Sequence, residues 1–111
     1  MNTLTVGERR LELDKDGYLV DLNDWSHEVA NALAAADNLE LTPAHWEILE
    51  LLRGFYAEFQ LSPATRPLIK YTALKLGPDK GNSLHLNQLF NGTPAKLAAK
   101  LAGLPRPTNC L

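Results

Sequence analysis

A single thiol near the C-terminus carries the strongest chemical signal in this sequence. Cys110 is the only cysteine among 111 residues, and only Leu111 follows it. The thiolate is the nucleophilic form of cysteine, and a nearby cation favours it. Arg106, four residues upstream, supplies such a cation, whereas the α-carboxylate of Leu111 acts in the opposite direction. Cys110 is therefore the candidate catalytic residue.

The residues before the cysteine predict where a folded domain ends. Gly103 can adopt the positive φ that terminates a helix, and Pro105 and Pro107 cannot continue one. We therefore predict a single globular domain over residues 1–103, followed by an extended C-terminal arm, residues 104–111. The prolines stiffen this arm and reduce the entropy lost when it docks. A thiol presented in this way can enter the pocket of another protein.

The three histidines give little support for other chemistry. His27, His45 and His85 are far apart in the sequence, and no second cysteine accompanies them, which argues against a zinc site. His45 lies three residues after Thr42, a predicted helix cap, and is interpreted as a structural histidine. The sequence contains neither a glycine-rich phosphate loop nor a nucleophile elbow. We predict neither a metal nor a cofactor.

Basic residues are concentrated in the half of the sequence that holds the cysteine. Residues 1–60 contain four lysines or arginines and twelve acids, a net charge of −8, whereas residues 61–111 contain seven and one, a net charge of +6. This separation predicts an electropositive face around the base of the arm, which would attract phosphates or an acidic partner. The alternative is that these cations pair with the acidic half or only solubilise helix surfaces. The candidates for supporting the thiolate or contacting a partner are Arg106, Arg66, Lys70 and Lys100.

Apolar periodicity and turn residues predict a mainly α (α+β) fold. Alternation at Leu11 and Leu13, followed by turn residues at Asp16-Gly17, predicts a small β-hairpin or meander within residues 4–20. An isolated hairpin needs helices to cover it. We therefore predict a small N-terminal hairpin packed on a bundle of about five helices, helix-turn-helix-like, with the arm extending from it.

Capping signals predict where the helices begin. Asp24 is predicted to cap the first helix, with Trp25 on its apolar face. Three later helices are predicted to begin where a serine or threonine is followed by proline. The hydroxyl side chain can cap the helix, and proline is favoured at the first helical position. These dipeptides are Thr42-Pro43, Ser62-Pro63 and Thr93-Pro94.

The helix that begins at Pro43 is predicted to form the centre of the core. Its apolar residues recur at helical spacing and include aromatic side chains. We interpret these aromatic residues as packing in the core and not as binding a cofactor. The residues are Ile48, Leu52, Phe55 and Phe59.

Length and hydropathy limit the class of protein. A chain of 111 residues, 45% hydrophobic and 22% charged, fits one soluble domain. No stretch approaches the roughly 18 consecutive apolar residues of a membrane span, and no apolar run follows a basic N-terminal segment. We therefore expect a cytoplasmic protein with no membrane partner, whose lone cysteine stays reduced. We also expect a monomer when free, because one apolar face per helix is enough for a single core.

The C-terminal sequence resembles a known signature. The run Lys100-Leu101-Ala102-Gly103-Leu104-Pro105-Arg106-Pro107, followed by a penultimate cysteine, is similar to that of the DsrC/TusE family of sulfur carriers. Other segments resemble the family as well, so the resemblance spans nearly the whole chain. They are Asp16-Gly17-Tyr18-Leu19, Leu41-Thr42-Pro43-Ala44-His45-Trp46, Ser62-Pro63-Ala64-Thr65-Arg66, and Gly81-Asn82-Ser83 leading to Leu89-Phe90.

One position places the chain in the TusE branch by this resemblance. DsrC proteins that serve sulfite reductase carry a second cysteine just before the Lys-hydrophobic-Ala-Gly-Leu-Pro run, where this chain has Ala99. No intramolecular disulfide can form without it. The TusE branch relays sulfur for tRNA thiolation through the penultimate cysteine alone. The resemblance thus implies a sulfurtransferase that accepts persulfide sulfur on Cys110 from an upstream sulfur-transfer protein complex and serves a downstream tRNA-uridine thiolase with its tRNA.

Two other functions are compatible with parts of the sequence. Helix pairs joined by short turns after a small hairpin are typical of winged-helix or helix-turn-helix regulators, and the basic half would contact phosphates. A DNA reader, however, has no use for a thiol on a proline-stiffened arm, and the net charge of −2 also argues against it. The second alternative is a DsrC-like partner of sulfite reductase, which Ala99 disfavours.

Overall fold

The computed structural model describes residues 2–107. In this range a two-stranded antiparallel sheet precedes five α-helices, which confirms the predicted fold class. A single 3₁₀ turn, Leu22–Asp24, connects the sheet to the first helix. The elements are β1 (Asn2–Val6), β2 (Arg9–Leu13), α1 (His27–Ala36), α2 (Pro43–Phe59), α3 (Thr65–Leu76), α4 (Ser83–Leu89) and α5 (Pro94–Leu101).

The hairpin packs one face on the helices. Leu4 lies opposite Leu11 in the antiparallel register. Alternation then places Val6, Leu11 and Leu13 in the core and leaves the intervening residues exposed. The predicted turn at Gly17 leads to Leu19, which forms a bridge with Leu13. Because β1 contacts α1, the two-stranded sheet is covered on one side by helix, as such a small sheet requires.

The predicted start of the first helix is wrong by two residues. Ser26, not Asp24, is the N-cap, and its hydroxyl accepts the Val29 N–H at 3.2 Å. Asp24 instead ends the 3₁₀ turn and pairs with Arg9 at 3.1 Å. Trp25 consequently precedes α1, and its side chain contacts Leu101 and Gly103 near the C-terminus.

Of the three helix starts predicted from a serine or threonine followed by proline, two are confirmed and one is wrong. Helices α2 and α5 begin at Pro43 and Pro94 as predicted. Helix α3 begins at Thr65 and has Ala64 at its N-cap, so Ser62-Pro63 lies outside it. The Ser62 hydroxyl donates instead to a carbonyl far along the chain, a bond described below.

The centre of the core is α5, not α2. Six of the eight residues of α5 are buried, and the helix contacts α1, α2, α3 and α4. In α2 the buried residues end at Leu52, and beyond it Phe59 is 47% exposed. Three alanines in α5 allow other helices to approach closely, which a search for large apolar residues does not detect. The C-terminal arm therefore emerges from the helix at the centre of the domain.

Candidate functional site

The candidate nucleophile lies just outside the described residues. Cys110 is three residues beyond Pro107, the last residue that the structure describes. Only Thr108 and Asn109 separate the two residues in the sequence. The described part of the site is thus the arm root, residues 103–107, and the side chains that hold it.

Gly103 ends α5 and forms the first contact of the arm root. Its φ of +73° confirms the predicted helix terminator. The Trp25 indole packs directly on it, and a Cβ atom at Gly103 would lie only 2.7 Å from Trp25 Cβ. Trp25 Nε1–H also donates to the Leu101 carbonyl at 2.9 Å. Trp25 therefore satisfies a terminal carbonyl of α5 that has no partner within the helix.

Arg53 satisfies the next carbonyl and covers the tryptophan. Its Nη1 donates to the Ala102 carbonyl at 2.6 Å, and its guanidinium lies 3.9 Å from the centre of the Trp25 ring. Burial lowers the pKa of Arg53 from its ordinary value, and the charge of Glu50 acts in the opposite direction. An arginine keeps its charge at neutral pH despite such a shift. The cation therefore sits at the negative end of the α5 dipole, where it is stabilising.

The remaining arm root is fixed to the domain by burial and two polar contacts. Leu104 is 3% exposed and belongs to the core. The buried Ser62 hydroxyl donates to the Pro105 carbonyl at 2.6 Å. Arg106 pairs with Asp16 in the turn after β2 at 2.5 Å. Residues 104–107 thus follow the domain surface before the chain reaches the cysteine.

An open cavity of about 720 Å³ lies beside the arm root. Its charged lining consists of Lys96, Lys100 and Arg106 with Asp16 and Asp37. Among the described residues, ion pairs join Lys100 to Asp37 at 3.0 Å and Arg106 to Asp16. Lys96 is exposed and has no ion pair within residues 2–107. The cavity therefore carries an excess of one positive charge.

The predicted supporting residues fall into two groups. Lys100 and Arg106 lie at the arm root, although both are paired with acids of the N-terminal half. Arg66 and Lys70 lie on the exposed side of α3 and do not line the cavity. The predicted single basic face around the base of the arm is therefore divided between the arm root and α3.

Three side chains that hold the arm root were missed by sequence reasoning. Trp25 was predicted to lie on the apolar face of a helix and Ser62 to cap a helix, and Arg53 was not singled out. Each acts on a backbone carbonyl at least 43 residues away. Contacts of this separation leave no periodicity or local motif in the sequence, so no signal was available to find them.

The histidines have no catalytic arrangement in the described part of the chain. His45 Nδ1 accepts the Thr42 N–H at 3.0 Å, so Nε2 carries the proton and donates to the Leu89 carbonyl at 2.7 Å. This geometry agrees with the structural role predicted for His45. Within residues 2–107, no three His, Cys, Asp or Glu side chains are grouped to hold a metal ion. Nor is any helix in this range long and apolar enough to cross a membrane.

The arm root and its cysteine-bearing extension correspond to a known family. A family model described as "DsrC like protein" matches residues 5–111. This chain belongs to that family. Among the curated relatives of this DsrC-like chain is the "Sulfurtransferase TusE homolog" of Haemophilus influenzae, 50% identical over 108 residues that cover 97% of this chain and 99% of that protein. The "Sulfurtransferase TusE" of Escherichia coli strain K12 is 45% identical over 103 residues, with 93% and 94% coverage.

Solved structures share the fold of the DsrC-like chain. The NMR structure of Allochromatium vinosum DsrC matches with a TM-score of 0.90 and 48% identity, over 99% of this chain and 98% of that one. The oxidized gamma-subunit of the dissimilatory sulfite reductase (DsrC) from Archaeoglobus fulgidus matches with a TM-score of 0.85 and 38% identity, over 99% and 100%. Proteins named as sulfurtransferases and as sulfite reductase subunits are therefore both similar to this chain.

Proposed function

We propose that this DsrC-like chain is a sulfurtransferase that carries sulfur on Cys110 as a persulfide. The observation that supports it most is the position of the only thiol. Cys110 follows, by three residues in the sequence, an arm root held by Trp25, Arg53 and Ser62. Relatives that align over nearly the whole chain are named sulfurtransferases.

The transfer step needs only a nucleophilic thiolate and a persulfide donor. The Cys110 thiolate attacks the outer sulfur of a donor R–S–SH, and the S–S bond of the donor breaks. The donor leaves as R–S⁻ with the electron pair, and Cys110 becomes Cys–S–SH. Electrons balance without an external oxidant, because the sulfane sulfur moves from one thiolate to another. A thiolate of the next protein then attacks that outer sulfur in the same way.

The relay takes place with partner proteins. We propose that an upstream multisubunit sulfur-transfer complex is the donor and that a tRNA-uridine thiolase acting on the wobble uridine, with its tRNA, is the acceptor. Such a relay belongs in the cytoplasm, and the free chain is proposed to be a monomer. Arg106 would then assist by holding the arm root to Asp16, and Lys100 by holding the end of α5, from which the arm root follows, to Asp37.

The fold is shared by sulfurtransferases and by sulfite reductase subunits, so it does not distinguish between these two roles. The residue at position 99 does distinguish between them. Ala99 is fully buried in α5 and supplies no thiol to pair with Cys110. A carrier that uses one cysteine is therefore favoured over one that cycles through an intramolecular disulfide. A nucleic-acid-binding regulator is not favoured by any of the similar proteins.

Mass spectrometry of the intact protein tests the proposal. Wild-type protein and Cys110→Ser are incubated with the persulfide-loaded sulfur-transfer complex. We expect an adduct of about 32 Da on the wild type that a reductant removes, since persulfidation is a reversible thiol modification. The variant should fold normally, acquire no adduct and fail to support 2-thiouridine formation. Sulfur transfer by Cys110→Ser would refute the proposal.

A further inference from the structure

The exposed side of α3 carries cations that the rest of the domain leaves unpaired. Arg66, Lys70 and Lys75 are all exposed, and α3 contains no acidic residue. None of the three forms an ion pair within residues 2–107, whereas the cations of the arm root pair with Asp16 and Asp37. The positive charge of α3 is therefore not neutralised by an ion pair within the described residues.

Apolar side chains lie among these cations. Leu74, a large aliphatic residue in the last turn of α3, is 77% exposed. Tyr71 contacts Phe55 of α2 edge to face, with ring centres 4.9 Å apart, and Lys75 Nζ lies 5.6 Å from the Tyr71 ring centre. Phe59, 47% exposed, extends the cluster, with its ring 4.6 Å from that of Phe55. Clustered exposed apolar groups bordered by charge are typical of a protein-binding surface.

The same surface begins beside the arm root. Ser62 binds the Pro105 carbonyl, and Arg66 follows it by only four residues. The twelve residues of α3 then extend about 18 Å at about 1.5 Å per residue. Since only Thr108 and Asn109 separate Cys110 from Pro107 in the sequence, a protein that receives the cysteine in a pocket is close enough to contact α3 as well.

We infer that the basic face of α3, comprising Arg66, Lys70, Tyr71, Leu74 and Lys75, docks an acidic surface with an apolar centre on the protein that donates sulfur to Cys110. This inference rests on the proposed function. The donor fits better than the acceptor, because an acceptor that binds tRNA presents cations, which the basic face of α3 would repel. Aliphatic Leu74 at the centre of the face favours a protein over RNA, since bases stack on aromatic rather than aliphatic side chains.

Paired charge variants test the docking surface. Lys70→Gln/Lys75→Gln removes two charges from the basic face of α3, and Arg10→Gln/Lys15→Gln removes two exposed cations on the hairpin side as a matched control. The measurement is the second-order rate of persulfide transfer to Cys110 from the loaded sulfur-transfer complex at low salt. We expect a loss of about tenfold for the α3 variant and little change for the control, because interface charges mainly set the association rate. Added salt should reduce the difference between the two.

A small-molecule persulfide donor distinguishes an effect on protein docking from an effect on the reactivity of Cys110. With cysteine persulfide in place of the complex, both variants should accept sulfur at the wild-type rate. Equal rates for the two variants with the complex would overturn the inference, as would an equal loss with cysteine persulfide. A loss of tRNA binding in a mobility-shift assay, with transfer from the complex unchanged, would also overturn it and assign the face to RNA.

The docking inference and the proposed function fail in different ways. If wild-type protein accepted sulfur from neither donor, the proposed function would be refuted. Direct titration of the unloaded complex with each variant would still decide the docking surface, because it needs no sulfur chemistry. There too, weaker binding of Lys70→Gln/Lys75→Gln than of the control supports the inference, and equal binding refutes it.

Discussion

Replacing Gly103 by alanine should destabilise the domain by about 3 kcal/mol. The φ of +73° costs an alanine about 1 kcal/mol relative to glycine. Its Cβ would also lie 2.5 Å from Cγ of Trp25, so the indole must move. That movement breaks the hydrogen bond to the Leu101 carbonyl, worth about 1 kcal/mol, and the contact with Arg53, worth about 0.5 to 1 kcal/mol.

Gly92 provides a matched control for this prediction. It also follows a helix and has a φ of +83°, but a Cβ there meets no atom within 4 Å. Gly92→Ala should therefore cost only the conformational term of about 1 kcal/mol. Urea denaturation of both variants measures the difference, which we expect to be about 2 kcal/mol with unchanged m-values. Equal destabilisation of the two variants would refute the packing of Trp25 on Gly103.

Three further substitutions test side chains that bind backbone carbonyls. His45→Ala leaves the Leu89 carbonyl without its donor and should lower the free energy of unfolding by about 2 to 3 kcal/mol in urea denaturation; a cost below 0.5 kcal/mol would contradict the bond. Ser62→Ala should cost about 1 to 2 kcal/mol because it leaves the Pro105 carbonyl unpaired, and stability equal to that of the wild type in the same assay would argue against this anchor. Arg53→Lys keeps the charge but loses the planar guanidinium, so its thermal stability should fall almost as far as that of Arg53→Ala; full retention by lysine would show that charge alone suffices.

Local signals predicted most of the fold. The helix that starts at Pro43, the helix that starts at Pro94 and the terminator at Gly103 each depend on a residue and its immediate neighbours. Such cues act before any tertiary contact forms, so they can be seen in the sequence. The hairpin was equally visible, because alternation at Leu11 and Leu13 reflects a sheet with one buried face.

The errors arose where a local signal and a distant contact competed for the same side chain. Ser62 has the chemistry of a helix cap, but its hydroxyl donates to the Pro105 carbonyl, and α3 begins without it. Asp24 is likewise a suitable cap, yet it pairs with Arg9, and Ser26 caps α1 in its place. For Ser62 the distant hydrogen bond replaces the cap. For α1 the exposed Asp24–Arg9 pair is weak, and the start is fixed by Ser26, whose hydroxyl accepts the Val29 N–H. The arm root could not be predicted for this reason.

The uneven charge of the sequence has two separate consequences in the folded domain. At the arm root, Lys100 and Arg106 meet acids from the N-terminal half, and these pairs hold together parts of the chain that are distant in sequence. On α3, no acid approaches Lys70 or Lys75 within the described residues, and their charge faces solvent. Because exposed ion pairs contribute little to stability, the domain can fold without acidic partners for the cations on α3. The cations of α3 form no ion pair within the described residues, and α3 begins close to the segment that anchors the arm root. Binding to the protein that donates sulfur to Cys110, as inferred above, gives this charge a role.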